Sequence, residues 1–247
     1  GFPVMKQAAA VRDRIGYMAQ RFGLYMDLTV AENISFYADL FGLDPRVVEK
    51  KTRFLLELTR MAPFRERKAG QLSGGMKQKL ALICSLLHEP ELLILDEPTN
   101  GVDPVSRRDF WIILHQLVKK GITVLVSTSY LDEAERCNRV GLMHQGVMIV
   151  CDAPDRLAAQ LRERCYMLQS SNPRTARAYL LERPDILSVE PSGSSLHLFL
   201  SPEQIDPGRL RLDLERRGIR VETLREIKPT VEDIFIALIR QRSQEAA

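Results

Sequence analysis

The sequence predicts an α/β protein with a parallel β-sheet core and a helical insertion, followed by a small α+β domain. Three observations favour this fold class. Apolar runs of strand length alternate with helical repeats as far as residue 129. Two of these runs, Leu92–Leu95 and Ile122–Val126, are rich in Leu, Ile and Val, as strands buried on both faces of a parallel sheet are. After Pro154 the predicted elements follow the order β-α-β-β-α-β, which is typical of a split α/β sandwich.

We therefore place one domain at residues 1–155, with a helical subdomain at about 28–88, and a second domain at 160–247. The formal net charge is +3 on 35 basic and 32 acidic residues, a balance that argues against a nucleic-acid partner. The sequence has no uninterrupted apolar run long enough to span a bilayer and does not start with a signal-peptide pattern. Composition thus favours a soluble cytoplasmic protein.

The four cysteines and four histidines give no metal-binding pattern. The cysteines (84, 137, 151 and 165) contain no Cys-x-x-Cys pair, and buried free thiols in a reducing compartment are the better interpretation. The histidines have no ligand partner at a suitable spacing in the sequence.

In chain order, the first predicted strand runs from Arg14 to Gln20. Thr29 and Glu32 form a capping-box pattern at the start of a helix. Two helices follow, Val30–Leu43 and Pro45–Arg60. We expect their apolar stripes to pack in the core between helices; these stripes are Phe36, Tyr37 and Phe41 on the first helix and Val47, Phe54, Leu55 and Leu58 on the second.

The stretch Gln71–Gln78 is the first of two whose residue types indicate a binding or catalytic site. Ser73-Gly74-Gly75 precedes a predicted helix, Met76–Leu87. A helix start with glycine in front of it presents backbone N–H groups and a positive dipole end, which suit a phosphate. A simple turn is the alternative for Ser-Gly-Gly taken by itself.

The second such stretch is Leu92–Thr99, a predicted strand that ends in Asp96 and Glu97. Ligands of open α/β sheets bind at the carboxyl ends of the strands. One carboxylate there can hold Mg²⁺ while the next orients a water molecule. A plain strand exit into a loop is the alternative.

The remaining elements complete the predicted sheet and the second domain. A helix at Val105–Lys120 ends before Gly121, and the strand Ile122–Thr128 leads to Ser129. Two strands, Val140–Met143 and Val147–Val150, turn at Gln145-Gly146. The last helix starts after Pro229.

Taken together, these stretches resemble the ATP-binding domain of ABC transporters. Ser73–Gln78 is similar to the signature motif, Leu92–Glu97 to Walker B and Asn100–Asp103 to the D-loop. Gln20 then corresponds to the Q-loop glutamine, and the segment from Pro229 resembles the closing motif of bacterial drug-export ATPases. The resemblance implies a P-loop-NTPase-like core.

The resemblance also implies ATP and Mg²⁺ as cofactors and assigns site residues. Glu97 and Gln20 would be catalytic, and Asp96 and Gln20 would hold the metal ion. The expected nucleotide-binding residues are Ser73, Gly74, Gly75, Gln78, Asp103 and Ser129. The implied partners are a second ABC ATP-binding domain in a head-to-tail dimer and an integral membrane permease, with no nucleic acid. The expected location is cytoplasmic, on the inner face of the cell membrane.

Two departures from the family pattern limit what the resemblance implies. The sequence contains no Gly-x-x-x-x-Gly-Lys-Ser/Thr phosphate loop, so we expect an incomplete sheet core in a truncated or subdivided chain that is inactive in isolation. Ser129 stands where the family usually has a histidine that contacts the γ-phosphate. We therefore expect slow turnover at the chain's own site.

Three functions remain open at this stage. The first is the ATP-hydrolysing subunit of an exporter, of the drug-efflux class. The second is a catalytically degenerate regulatory or scaffold module that completes a partner's ATP site. A soluble ABC ATPase that acts on the ribosome or on DNA is the third, and the helical insertion between Gln20 and Ser73 argues against it.

Overall fold

A computed structural model describes residues 3, 6–21, 23–161, 163–201 and 206–245. The chain divides into two compact units, Gly1–Ser129 and Tyr130–Ala247. The domain division expected near residues 155–160 stays a prediction. None of the helices in the described ranges combines the length and apolar character that a membrane crossing needs.

The first unit contains a parallel sheet of three strands in the order β1-β2-β3, with helices between them. The strands are β1 (Ile15–Met18), β2 (Leu92–Asp96) and β3 (Thr123–Ser127). The helices are α1 (Ala8–Arg12), α2 (Val30–Leu40), α3 (Pro45–Leu58), α4 (Gly74–Leu86) and α5 (Pro104–Lys119), with 3-10 turns at Ala62–Phe64 and Ala69–Gln71. The predicted parallel α/β core is confirmed.

One face of this sheet is buried and the other is largely open. Met18, Leu93 and Leu95 are fully buried on the face where Gly16 lies against α4. The opposite face carries the row Tyr17–Ile94–Leu125, in which Tyr17 is 55% and Leu125 is 57% exposed. The prediction that both apolar strands are buried on two faces is therefore wrong, because α4 packs on one side only.

The helical subdomain begins as predicted, but its aromatic stripes do not form the core. Thr29 and Glu32 make the reciprocal capping box at the start of α2. The buried face of α2 carries Val30, Asn33, Ile34 and Ala38. By contrast, Phe36, Phe41, Val47 and Phe54 are exposed. The expectation of core packing is wrong for these four side chains.

Three of these exposed side chains, the aromatic ones, meet individual neighbours at the surface. Phe36 lies edge-on to Tyr25 at 4.5 Å between ring centroids, and Phe41 stacks on His88 at 4.2 Å. The Lys120 ammonium lies 3.6 Å from the ring centroid of Phe54. Surface contacts of this kind leave much of each ring exposed.

The second unit contains an antiparallel hairpin and a four-stranded antiparallel sheet of order β7-β8-β6-β9. The strands are β4 (Val140–His144), β5 (Val147–Asp152), β6 (Arg164–Ser170), β7 (Ile186–Ser192), β8 (Ser195–Leu200) and β9 (Val221–Ile227). The helices are α6 (Leu131–Ala134), α7 (Pro154–Gln160), α8 (Pro173–Leu181), α9 (Pro207–Arg216) and α10 (Val231–Glu245). The predicted α+β order is present, and the β4–β5 turn has positive φ at Gln145 and Gly146.

The four-stranded sheet packs helices on both faces. Leu168, Leu196 and Leu198 belong to one core cluster, which also includes Leu180 of α8 and Leu214 of α9. A second cluster joins Cys165 and Phe199 to Ala237 of α10. The sheet is therefore a middle layer between helices in the second unit.

The cysteines are free thiols, but they are not uniformly buried. Cys84 and Cys165 are buried and Cys137 is half-buried. Cys151 is exposed, because it lies on the partly open strand β5. The prediction of buried thiols is thus wrong for Cys151.

Candidate functional site

The candidate site lies at the carboxyl ends of the three parallel strands. Met18 pairs with Leu95, and Asp96 pairs with Ser127, so the chain segments that follow these strands leave the same edge of the sheet. Gln20 follows β1 and is exposed. This edge holds Gln20, the two carboxylates and Ser129 on adjacent strand exits, as expected for ligand-binding α/β sheets.

Asp96 is held by Ser127, a residue that the sequence motifs do not include. Ser127 Oγ donates a hydrogen bond of 2.6 Å to Asp96 Oδ1. A charge-assisted bond this short fixes the carboxylate and leaves its second oxygen for another ligand. The signal that identifies Ser127 is its position, because it ends the strand that pairs with β2.

Glu97 has a strained backbone that its neighbours stabilise. Its φ of 46° lies in the left-handed region, where a residue with a side chain costs about 1–3 kcal/mol. The Glu97 N–H donates to the Ser127 carbonyl at 3.0 Å and to its hydroxyl at 3.1 Å. Strain of this kind is typical of functional sites, since the backbone aims the side chain.

The Glu97 carboxylate is fixed by Ser129. Glu97 Oε2 accepts hydrogen bonds from the backbone N–H of Ser129 at 3.2 Å and from its hydroxyl at 3.3 Å. Asp96, Glu97, Ser127 and Ser129 therefore form one network, which we call the carboxylate cluster. It lies within the first compact unit.

The signature residues form the start of α4. The helix begins at Gly74, two residues earlier than the predicted Met76, because both glycines take helical geometry behind the cap Ser73. Ser73 Oγ accepts from the Met76 N–H at 3.3 Å. Its own hydroxyl proton can still be donated to a ligand. Ser73 and Gly74 are exposed, as an anion site at a helix start requires.

Gly75 and the D-loop pack beside the signature. A Cβ added at Gly75 would lie 2.4 Å from Ser106 Cβ, so only glycine lets α4 approach α5 this closely. Asp103 caps α5 and accepts from the N–H groups of Val105 and Ser106. Its hydrogen bonds with Ser106 lower the pKa of Asp103. Gln78 is half-exposed further along α4.

The predicted residues thus form two groups rather than one. The carboxylate cluster supplies oxygen donors, which are the ligands that Mg²⁺ prefers. The signature group, Ser73 to Gly75 with the D-loop, supplies a hydroxyl and N–H groups at a positive helix end, which fit a phosphate. The hydrogen bonds of Ser73 stay within the first turn of α4, and those of Asp96 and Glu97 join β2 to β3.

Comparisons with known proteins identify the family of the chain. A sequence profile of the ABC transporter family matches residues 3–100. The chain is 41% identical over 243 residues to the Escherichia coli protein described as a probable multidrug ABC transporter ATP-binding protein, YbhF. The match covers 97% of this chain but 41% of that relative, so the chain spans less than half of its length.

A second relative and a solved structure are covered more fully. The Nod factor export ATP-binding protein I of Sinorhizobium fredii is 36% identical over 241 residues, covering 96% of this chain and 68% of that protein. Among solved structures, cbiO1 from Clostridium perfringens, part of the cbiONQ ABC transporter complex, is 29% identical with a TM-score of 0.58 and covers 63% of each chain. The chain belongs to the family of ABC transporter ATP-binding proteins.

Proposed function

We propose that the chain is the ATP-hydrolysing part of an ABC-type exporter of the drug-efflux class. The observation that supports this most strongly is the carboxylate cluster at the open edge of a parallel sheet. The names of the relatives, one a probable multidrug transporter component and the other a Nod factor export component, support the exporter class.

In this proposal the carboxylate cluster serves the chain's own nucleotide. Asp96 and Gln20 would hold Mg²⁺, which would offset the charge of the phosphates. Glu97 orients the attacking water and accepts its proton. Ser129 holds Oε2 of Glu97, so Oε1 is the oxygen that faces the water. The Ser129 hydroxyl faces the γ-phosphate, but it is shorter than an imidazole and already donates to Glu97, so it cannot replace the contact and proton of a histidine.

The signature group serves the nucleotide of a second ABC ATP-binding domain in a head-to-tail dimer. Ser73, Gly74 and Gly75 contact its phosphates, with Gln78 and Asp103 at the margin of the contact. The supporting observation is that Ser73 and Gly74 are exposed at the start of α4 and that the hydrogen bonds there are separate from those of the carboxylate cluster.

The chain's own site also needs a phosphate-binding loop, a pattern that the 247 residues do not contain. The open sheet face with the row Tyr17–Ile94–Leu125 is a surface on which the segment that contains this loop can pack. We propose that a strand–loop–helix unit of the assembled ATPase covers this face. The apolar area that it would bury favours the contact.

A membrane permease is the proposed partner that moves the substrate, at the cytoplasmic face of the membrane. The supporting feature is an apolar surface on α2 and the segment before it. Its exposed side chains are Tyr25, Met26, Phe36, Leu40 and Phe41. Grouped apolar side chains at a surface are typical of a protein interface.

A second candidate function is a non-catalytic module that completes only the partner's ATP site. The observation that favours it is the structural independence of the signature group, together with Ser129 in place of histidine. Under this candidate the signature group keeps its role and the carboxylate cluster has none in turnover.

ATPase measurements on the assembled transporter separate the candidates. The chain would be expressed with whatever coding sequence flanks it in its gene and with its permease. We expect Glu97→Gln to lower Mg²⁺-dependent turnover by about 10²-fold or more, the scale of general-base catalysis. Glu91→Gln is the matched control, because Glu91 lies at the other end of β2 in an exposed ion pair with Arg14.

The outcomes divide clearly. Loss of turnover in Glu97→Gln but not in Glu91→Gln supports the hydrolytic proposal. Unchanged turnover in Glu97→Gln with loss in Ser73→Arg supports the second candidate. If neither Glu97→Gln nor Ser73→Arg changes turnover, both candidates are wrong.

A further inference from the structure

Three side chains with metal-binding atoms meet in the core of the second unit. Cys165, His197 and Asp233 lie with their ligand atoms within 4.8 Å of one another. Their exposed fractions are 2%, 7% and 3%. None of the three belongs to the carboxylate cluster or the signature group, and what they do there is independent of the proposed function.

Strand register and helix capping bring these residues together. Cys165 pairs with Phe199 and Met167 with His197, so Cys165 and His197 point to the same face of the sheet, toward α10. Asp233 lies in the first turn of α10, where its carboxylate accepts from the N–H and hydroxyl of Thr230. His197 Nδ1 lies 2.9 Å from Asp233 Oδ2. The cluster therefore joins the sheet to the start of the helix.

The chemistry of the three donors fits a divalent ion of the zinc class. A thiolate, an imidazole and a carboxylate together are a borderline-soft set, which suits Zn²⁺ better than Mg²⁺ or Ca²⁺. A divalent cation bound by one thiolate and one carboxylate has no net charge. That neutrality matters here, because an uncompensated charge at such low exposure is unfavourable.

We propose that Cys165, His197 and Asp233 bind a zinc-class metal ion that fastens α10 to the sheet. Zinc bonds of about 2.0–2.3 Å in tetrahedral geometry separate ligand atoms by about 3.3–3.6 Å, so the cluster needs only side-chain adjustment to reach that spacing. Thr230 already orients the Asp233 carboxylate from outside the ligand set by donating two hydrogen bonds to it.

Metal binding has a defined proton balance. Burial, together with the nearby Asp233 and Glu163 carboxylates, raises the pKa of Cys165 to about 12, so the thiol is protonated in the metal-free protein. Formation of the sulfur–metal bond breaks the S–H bond and releases one proton to solvent. His197 binds the ion through the ring nitrogen that carries no proton and so releases none, and the metal bonds replace its hydrogen bond to Asp233 where the ion displaces it. The metal ion is neither oxidised nor reduced.

Cobalt titration of the 247-residue chain tests the proposal. After chelator treatment and removal of the chelator, Co²⁺ is added under reducing conditions and absorption is recorded. We expect a thiolate-to-cobalt charge-transfer band with tetrahedral d–d bands, saturating at one equivalent and bleached by Zn²⁺. Zinc should also raise the thermal midpoint of the chain.

Two ligand variants and one matched control keep the test decisive. Cys165→Ser and His197→Gln should each lose the charge-transfer band and the zinc-induced rise in midpoint. Cys151→Ser should keep both, because Cys151 is an exposed thiol outside the cluster. If a ligand variant does not fold, native wild-type protein with no charge-transfer band still refutes the proposal. A band that persists in folded Cys165→Ser refutes it as well.

Discussion

The carboxylate cluster and the Cys165–His197–Asp233 cluster differ in how the chain builds them. Asp96 and Glu97 are adjacent in sequence and lie at the open edge of a sheet, and Glu97 has a strained backbone. The other three residues come from two strands and a helix and are buried. The first arrangement is open to a ligand, whereas the second is enclosed in a core.

The difference teaches how the two clusters should respond to mutation. A strained, solvent-facing group lowers stability in exchange for a fixed geometry, so its loss should reduce activity more than stability. A buried, hydrogen-bonded polar pair such as His197 and Asp233 should do the opposite, because removal of one partner leaves the other unsatisfied. Stability measurements on Asp233 and Ser127 sharpen or break this contrast, and two more, on Gly75 and His88, test the packing of the first unit.

The largest effect is expected for Asp233→Ala. The substitution removes the carboxylate that accepts from Thr230 at the start of α10 and leaves buried His197 without its partner, which should lower the free energy of unfolding by about 2–4 kcal/mol. Denaturant unfolding of the metal-free chain measures it. Glu232→Ala is the control, because Glu232 is exposed in the same turn. An equal, small effect of the two variants would remove the contrast.

Gly75→Ala should give the next largest effect. The added methyl would lie 2.4 Å from Ser106 Cβ and force α4 away from α5, which should destabilise the chain by about 1–3 kcal/mol. Gly74→Ala is the control, since the nearest atom to its added methyl is the Gly101 carbonyl oxygen at 3.9 Å. Both are followed by denaturant unfolding. Similar midpoints for the two would show that α4 and α5 tolerate the methyl.

Ser127→Ala tests the support of the carboxylate cluster and should have a smaller effect on stability. It removes the hydroxyl that bonds to Asp96 and to the Glu97 N–H, at an expected loss of about 0.5–1.5 kcal/mol. Thr123→Ala, at the exposed start of the same strand, is the control for β3. ATPase activity of the assembled transporter should fall more in Ser127→Ala than its stability loss explains. Full activity would contradict a positioning role.

The smallest effect is a pH dependence from His88. Burial lowers the pKa of His88 below 6.5, although its hydrogen bond to the Ile15 carbonyl partly opposes this. The folded chain therefore binds a proton less readily than the unfolded chain, and stability should fall as pH decreases through about 6.5. In His88→Gln the midpoint of denaturant unfolding should fall less between neutral and mildly acid pH. An identical change of the unfolding midpoint with pH in both proteins would exclude a contribution of His88 to the pH dependence of stability.

The sequence was sufficient for the parts of the fold that local patterns determine. The capping box at Thr29, the β4–β5 turn at Gln145-Gly146 and the parallel core all follow from short-range chemistry. The exposure of Phe36 and Leu125 does not follow from such local patterns. An apolar pattern does not indicate which faces the rest of the chain covers. Tertiary packing decides burial, and a single sequence contains that information only indirectly.

The same limit explains what was missed at the two clusters. Adjacent residues such as Asp96 and Glu97 reveal themselves as a motif, but Ser127 becomes part of the site only through its pairing with Asp96 across the sheet. Cys165 and His197 gave no metal-binding spacing, since strand register and not sequence distance brings them together. The roles of the predicted site residues toward nucleotide stay predictions.

The most direct test of the proposed function asks whether the signature group acts on the partner's nucleotide. The chain would be expressed together with its flanking coding sequence and would carry Glu97→Gln. Analytical ultracentrifugation would then measure its association with a second ABC ATP-binding domain. We expect Mg²⁺ and ATP to drive association when Ser73 is present. Ser73→Arg should abolish association, because the large arginine side chain blocks the exposed start of α4. ATP-driven association of undiminished strength in Ser73→Arg would contradict the proposed role of the signature group.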